Sequence, residues 1–202
     1  MPGVLDALIL DLGNVLAFHD NALLFRALGE CFDRPPERFQ AELEKDLWDR
    51  VNLGELPGDA LRVELNRQLG TAVSRADFEA AWSCHFTVHH EMVAVVDRLV
   101  GRLPLVLLSN THDLHVAALR PRLPVLQRFD ALVLSCEVRL KKPDPRIYRE
   151  AVARSGAAPG RCAFFDDVET YARAATAQGL HGRVFTTAAA FVRDLEALGV
   201  AA

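Results

Sequence analysis

The sequence predicts an α/β fold, a parallel β-sheet wrapped by helices with a helical segment inserted after the first strand. Two patterns carry that reading. Apolar runs of strand length recur along the chain and are mostly continuous rather than alternating, as expected of strands covered on both faces. Stretches of helical periodicity separate them, and strands that alternate with helices imply a parallel sheet.

The first run, Val4 to Leu10, ends at Asp11 and is followed by Leu12-Gly13-Asn14-Val15-Leu16. A carboxylate at the end of a buried strand, ahead of a glycine, is poorly explained by packing and well explained as a nucleophile or a metal ligand. From about His19 to His89 the rhythm changes. Leu23-Leu24 with Ala27-Leu28, Phe39 with Leu43, Leu61 with Leu65 and Leu69, and Phe78 with Ala81-Trp82 all recur at helical spacing. Pro35-Pro36, Pro57-Gly58 and Gly70-Thr71 punctuate them. Ser74 with Asp77 has the form of a capping box with Asp in place of Glu. This segment reads as a helical insertion. Beyond it, strands are expected at Leu103 to Leu108, Ala131 to Leu134, Cys162 to Phe165 and, with breaks, Leu180 to Phe185. Helices are expected at Met92 to Leu99, Leu114 to Leu119, Pro145 to Arg154, Val168 to Gln178 and Ala188 to Leu198.

A chain of 202 residues, half of them hydrophobic, can bury one good core or a core with a small satellite. The net charge of −4, with arginines scattered along helix faces, lacks the basic footprint of a nucleic-acid binder. Cys31, Cys84, Cys136 and Cys162 are widely spaced and form neither a zinc pattern nor a disulfide framework. The opening residues lack the basic flank and apolar core of a signal peptide. No apolar stretch approaches the roughly 18 residues that span a bilayer. The expectation is a cytoplasmic protein without a membrane partner, its oligomeric state unread.

Ligands of an open parallel sheet bind outside the carboxyl ends of its strands. Four apolar runs lead into polar residues: Asp11; Ser109-Asn110-Thr111; Asp166-Asp167; and, after a short loop, Lys141-Lys142-Pro143-Asp144-Pro145. Singly, each has a plain structural reading. Asp11 forms turns, Ser109 or Asp166-Asp167 caps a helix, and Lys142 lies on the surface. Four unrelated caps, however, need not supply a nucleophile, a phosphate binder, a charge neutraliser and a metal site in that order.

Together these residues resemble the haloacid dehalogenase-like hydrolase superfamily over nearly the whole chain. Asp11-Leu12-Gly13-Asn14-Val15-Leu16 is similar to its first motif and Ser109 in Leu-Leu-Ser-Asn-Thr to its second. Lys142 in Lys-Pro-Asp-Pro-Arg-Ile-Tyr matches the third, and Phe-Phe-Asp166-Asp167, followed by Ala174, Ala175 and Gly179, the fourth. The first motif's wording resembles the branch with glucose-1-phosphatase-type sugar-phosphate phosphatases. The phosphatase domains fused to some epoxide hydrolases are more distant relatives. The resemblance implies a Rossmann-like catalytic core formed by residues 1–18 and 90–202, with residues 19–89 as a small helical cap. It implies hydrolysis of a small phosphomonoester such as a sugar phosphate, with Asp11 as nucleophile through an aspartyl-phosphate. Lys142 would neutralise charge and bind phosphate, as would Ser109 and Asn110. Mg²⁺ would be held by Asp11, the Gly13 backbone carbonyl, Asp166 and Asp167.

Gly13 departs from the pattern, since most phosphatases of the superfamily have Asp there as general acid and base. Such help is worth about 10²–10⁴-fold in rate, so slow turnover or good leaving groups are expected. His19, Asp20 and His112 are nearby groups able to carry a proton, and each reads first as a surface or structural residue. Trp48, Asn52 and Trp82 are candidates to face the site from the insertion, although the tryptophans read first as core. Three rivals remain. A metal-independent 2-haloacid dehalogenase would use Asp11, lack the second Asp and carry Ser-Asn, but has no need of Asp166-Asp167. A non-catalytic module could bind a phosphorylated ligand. A dinucleotide-binding fold lacks its G-x-G-x-x-G here.

Overall fold

A computed structural model describes residues 5–201, apart from the side chains of residues 42, 44 and 45. Val4, where the first apolar run is expected to begin, and the three residues before it lie outside the described residues. Five strands form one parallel sheet: β1 (Ala7–Leu10), β4 (Leu105–Ser109), β5 (Ala131–Leu134), β6 (Cys162–Asp166) and β7 (His181–Val184), in the order β5-β4-β1-β6-β7. Every residue of β1, β4 and β6 is buried, which is why these runs are continuously apolar. Along the sheet they bury alternate residues in two clusters. One holds Leu8, Leu10, Leu105 and Leu107 under α6 (His90–Leu99) and α11 (Ala188–Ala197). The other holds Ile9, Val106, Leu108 and Phe164 under α9 (Pro145–Ser155) and α10 (Glu169–Ala177).

Leaving β1, the chain closes a tight turn in which the Leu16 and Ala17 N–H groups donate to the Leu12 carbonyl. It then runs through β2 (Ala17–His19), which pairs antiparallel with β3 (Phe86–Val88). These three-residue strands carry too few residues to show an alternation, and the sequence reading did not include them. Between them lie α1 (Asn21–Phe32), α2 (Pro36–Glu42), a π-helical turn (Leu43–Leu47), α3 (Trp48–Asn52), α4 (Gly58–Leu69) and α5 (Arg75–Ser83). Ser74 Oγ accepts from the Asp77 N–H and lies 2.6 Å from its carboxylate, closing the expected cap of α5. Pro36 opens α2, Gly58 opens α4, and Gly70, at φ +66°, ends α4. These helices pack on a core of their own, around Phe32, Phe39, Phe78 and Trp82.

The helical layer meets the sheet domain at α7 (Asp113–Leu119) and α8 (Ser135–Val138). The Asp113 carboxylate accepts from the Gly58 N–H, Ser135 Oγ lies 2.6 Å from the Asn52 carbonyl, and Lys141 pairs with Asp49 at 2.5 Å. Gly54 and Gly58 allow this approach. A Cβ on Gly54, at φ +69°, would sit 2.0 Å from the Cys136 carbonyl oxygen, and one on Gly58 would sit 2.2 Å from Leu114 Cγ.

Candidate active site

The sheet order makes β1 the point from which the chain leaves in one direction, to β4 and β5, and to whose other side it returns as β6 and β7. Ligands of such sheets bind at that reversal, outside the strand ends. Asp11 follows β1 directly, and its N–H donates to the Phe165 carbonyl of β6 at 3.0 Å. Asp166 ends β6 and Ser109 ends β4, both buried. The loop after α8 brings in Lys142, which is 2% exposed, so it is no surface lysine. Its ammonium donates to Asp11 Oδ1 at 2.8 Å and Asp166 Oδ2 at 2.5 Å, and lies 5.1 Å from the Tyr171 ring centre and 5.6 Å from that of Phe164.

Burial alone would lower the Lys142 pKa, but the two carboxylates outweigh it and hold the ammonium charged above its usual range. The same burial pushes Asp11 upward against the pull of Lys142. Asp166 rises to about 6, through burial first and the Asp11 charge second. Two acids crowded on one ammonium in a dry place thus hold their negative charge at a disadvantage, and a further cation beside them would relieve it. Asp167 adds a third carboxylate. Oxygens of Asp11, Asp166 and Asp167 lie within 4.8 Å of one another, the one such cluster of potential ligands among the described residues.

Asp166 also caps its own loop, accepting from the Val168 N–H at 2.8 Å. It thus holds the turn ahead of α10, whose cap position is Val168, and does not cap the helix itself. Asn110 clamps Lys142: its amide donates to the Lys142 carbonyl at 3.0 Å, and its carbonyl accepts from the Lys142 N–H at 2.7 Å. Its side chain is thus committed to placing the lysine, and a share in binding phosphate would fall to its backbone N–H. No side chain of Ser109-Asn110-Thr111 caps the following helix, α7, whose cap position is His112.

Asn14 escaped the sequence reading as a site residue. It stands in left-handed backbone at φ +52°, donates to Asp167 Oδ2 at 2.8 Å and reaches His19 Nε2 at 3.3 Å. The available signal was its residue type, since Asn tolerates that conformation better than other side-chain-bearing residues. Tyr171 was missed as well, being one residue of an amphipathic helix with nothing in its spacing to mark it.

Above the acids opens a cavity of about 350 Å³, lined on the sheet side by Asp11, Ser109, Lys141, Lys142 and Asp167 and from the inserted segment by His19, Trp48 and Asn52. Of the two tryptophans, Trp48 faces this cavity and Trp82 is wholly buried. The candidate proton carriers separate sharply. Asp20 accepts from the Ala22 and Leu23 N–H groups as the cap of α1. His112 accepts from the Trp82 indole N–H at 2.7 Å, and burial pushes its pKa down to about 3, so it is a neutral structural imidazole. His19 remains, at the cavity wall.

A family model described as haloacid dehalogenase-like hydrolase matches residues 5–179. Among solved structures, one described as a HAD-like family hydrolase from Porphyromonas gingivalis is 24% identical, with a TM-score of 0.85 over 97% of this chain and 98% of that one. A HAD family enzyme from Bacteroides thetaiotaomicron, solved in complex with magnesium and inorganic phosphate, is 24% identical, with a TM-score of 0.81 over 90% and 94%. The L-2-haloacid dehalogenase from Xanthobacter autotrophicus, with chloropropionic acid covalently bound, is 18% identical, with a TM-score of 0.63 over 98% and 85%. At these identities the likeness is one of fold, and the fold is shared by proteins of both descriptions. The acyl-CoA dehydrogenase family member 10 of Mus musculus is 32% identical over 89 residues, 44% of this chain but only 8% of that much longer protein.

Proposed function

The chain belongs to the haloacid dehalogenase-like hydrolases, and on that premise we propose that it is a magnesium-dependent phosphatase that hydrolyses a small phosphomonoester through an aspartyl-phosphate on Asp11. The observation that carries this reading is the trio Asp11, Asp166 and Asp167, gathered within 4.8 Å, with one ammonium, that of Lys142, between the first two. Three carboxylates against Lys142 leave two negative charges in excess, and every donor is a hard oxygen, which fits Mg²⁺ with room for water and phosphate oxygens. Asp11, Asp166, Asp167 and the Gly13 carbonyl would hold it. Bound there, the ion would offset the repulsion between the nucleophile and a phosphate dianion. Halide displacement from carbon involves no such dianion and leaves the trio without a purpose.

Asp11 is ionised when it attacks phosphorus and needs no base to become a nucleophile. Two of the three Lys142 N–H groups hold Asp11 and Asp166, which leaves the third for a transferring oxygen. Ser109 and the N–H groups after β4 would bind equatorial phosphoryl oxygens, and removing one such donor raises a barrier by about 3 kcal/mol. Residues 19–89 act as the cap over the core of residues 1–18 and 90–202, and Trp48, Asn52 and Lys141 face the leaving group.

Steady-state phosphate release from p-nitrophenyl phosphate tests the reading. Release should require Mg²⁺, stop with a chelator and disappear in Asp11→Asn without loss of the cooperative unfolding transition. Chelator-insensitive release of halide from a 2-haloacid would replace the phosphatase reading with the dehalogenase one, and tight phosphate binding without turnover would favour a binding module.

A further inference from the structure

We propose that His19 carries the proton that the side chain absent from Gly13 cannot carry, protonating the leaving oxygen and then activating water; the assignment rests on the phosphatase reading above. It begins from the space beside Gly13. A Cβ built there would meet His19 Cδ2 at 3.3 Å and Nε2 at 3.5 Å before any other group, with Asp11 Oδ2 next at 3.7 Å. The imidazole thus crowds the place a Cβ at position 13 would take, with the Asp11 carboxylate close by. The backbone of Gly13 is not left-handed, so conformation does not demand glycine there. What glycine provides is room for the ring.

The local fold accounts for this placement. The chain loops from Leu12 to Ala17, and a parallel bridge between Gly13 and Ala17 sets the start of β2 beside the first motif. Side chains alternate along a strand, so His19 shares the face of buried Ala17 while Phe18 packs on His89 with ring centres 4.3 Å apart. Pairing of His19 with Phe86 of β3 fixes the register. Asn14 then meets His19 twice, its side-chain carbonyl accepting the His19 backbone N–H at 3.4 Å and its amide reaching Nε2 of the ring at 3.3 Å. The same amide holds Asp167. Asp20 and His112, the other candidates, are committed to a helix cap and to Trp82.

In the first step an Asp11 oxygen forms a bond to phosphorus, the bond from phosphorus to the ester oxygen breaks, and the proton on the His19 imidazolium passes to that oxygen, giving a neutral alcohol and a neutral ring. In the second, the neutral ring takes a proton from water as its oxygen bonds to phosphorus. The bond to Asp11 breaks, returning the carboxylate, inorganic phosphate and the protonated imidazole.

A series of phosphate esters running from p-nitrophenyl to simple alkyl leaving groups tests this. His19→Ala should lower kcat/KM by a factor that grows with leaving-group basicity, reaching roughly 10²–10⁴ at the alkyl end, with an unfolding midpoint like that of the wild type. Gly13→Asp/His19→Ala should recover at least about 10-fold over His19→Ala at that end, since the carboxylate then has room. Gly13→Asp alone, with the ring still in place, should not gain. The same loss for every ester, or none, overturns the role of His19 while leaving the phosphatase standing. Absence of phosphate release from all esters by the wild type overturns both.

Discussion

Lys142 holds two buried carboxylates with one charge, and that imbalance gives it two duties. Lys142→Met keeps the stem and removes the ammonium, leaving Asp11 and Asp166 unpaired in a dry site. Breaking a buried pair in this way is strongly destabilising, so the variant should lose on the order of 3 kcal/mol of unfolding free energy in metal-free buffer, measured by urea denaturation. Mg²⁺ should restore part of that loss. Equal stability of the two proteins would mean that the lysine is not structurally coupled to the acids. Asp11, Ser109, Lys142 and Asp166-Asp167 were legible in the sequence because each interrupts or follows an apolar run where packing gives it no reason to be. Asn14 and Tyr171 were not, and Asn110 was expected to bind phosphate, not to clamp Lys142. Their roles depend on a left-handed backbone, on a clamp across 32 residues and on the facing of one helix, none of which has a spacing signature.

Among the elements, the contact of the helical layer with α7 and α8 is where small residues matter. Gly54→Ala combines a strained φ with an overlap against backbone that cannot move aside. It should destabilise the protein by about 1–3 kcal/mol and loosen the approach of Trp48 and Asn52 to the cavity. A shift below 0.5 kcal/mol in denaturant unfolding would show that the loop simply retreats. A second element-scale prediction comes from α5 and α7, which bury His112 against Trp82. The folded pKa of about 3 lies below the unfolded value near 6.5. Unfolding therefore takes up a proton between those values, so the contribution to stability is complete above pH 6.5 and is lost as pH falls toward 3. His112→Gln can still accept from the indole. The wild type should lose stability relative to this variant by up to about 1.4 kcal/mol per pH unit across that window, whereas parallel curves would deny the buried neutral ring. The helices themselves were readable from apolar spacing and from Pro35-Pro36, Pro57-Gly58 and Ser74. The short β2–β3 pair was not, because three residues per strand give no period to read.

For the molecule as a whole, alternation of strands and helices announced a parallel sheet, but not the order β5-β4-β1-β6-β7 that brings the ends of β1, β4 and β6 together. That order is a matter of crossovers, and only the convergence of an acid, a hydroxyl, a lysine and an acid pair hinted at it. No helix among the described residues is long and apolar enough to cross a membrane. The family and the fold admit chemistry at phosphorus or at carbon, and the fate of the Asp11 carboxylate distinguishes them. The most direct measurement is a single turnover with p-nitrophenyl phosphate and Mg²⁺ in ¹⁸O-labelled water, acid-quenched and followed by mass analysis of the peptide containing Asp11. A phosphoryl group on Asp11 at early times, ¹⁸O in the released phosphate and none in the Asp11 carboxylate are expected. Phosphate release with Asp11 never phosphorylated, or ¹⁸O entering that carboxylate, would contradict the aspartyl-phosphate intermediate.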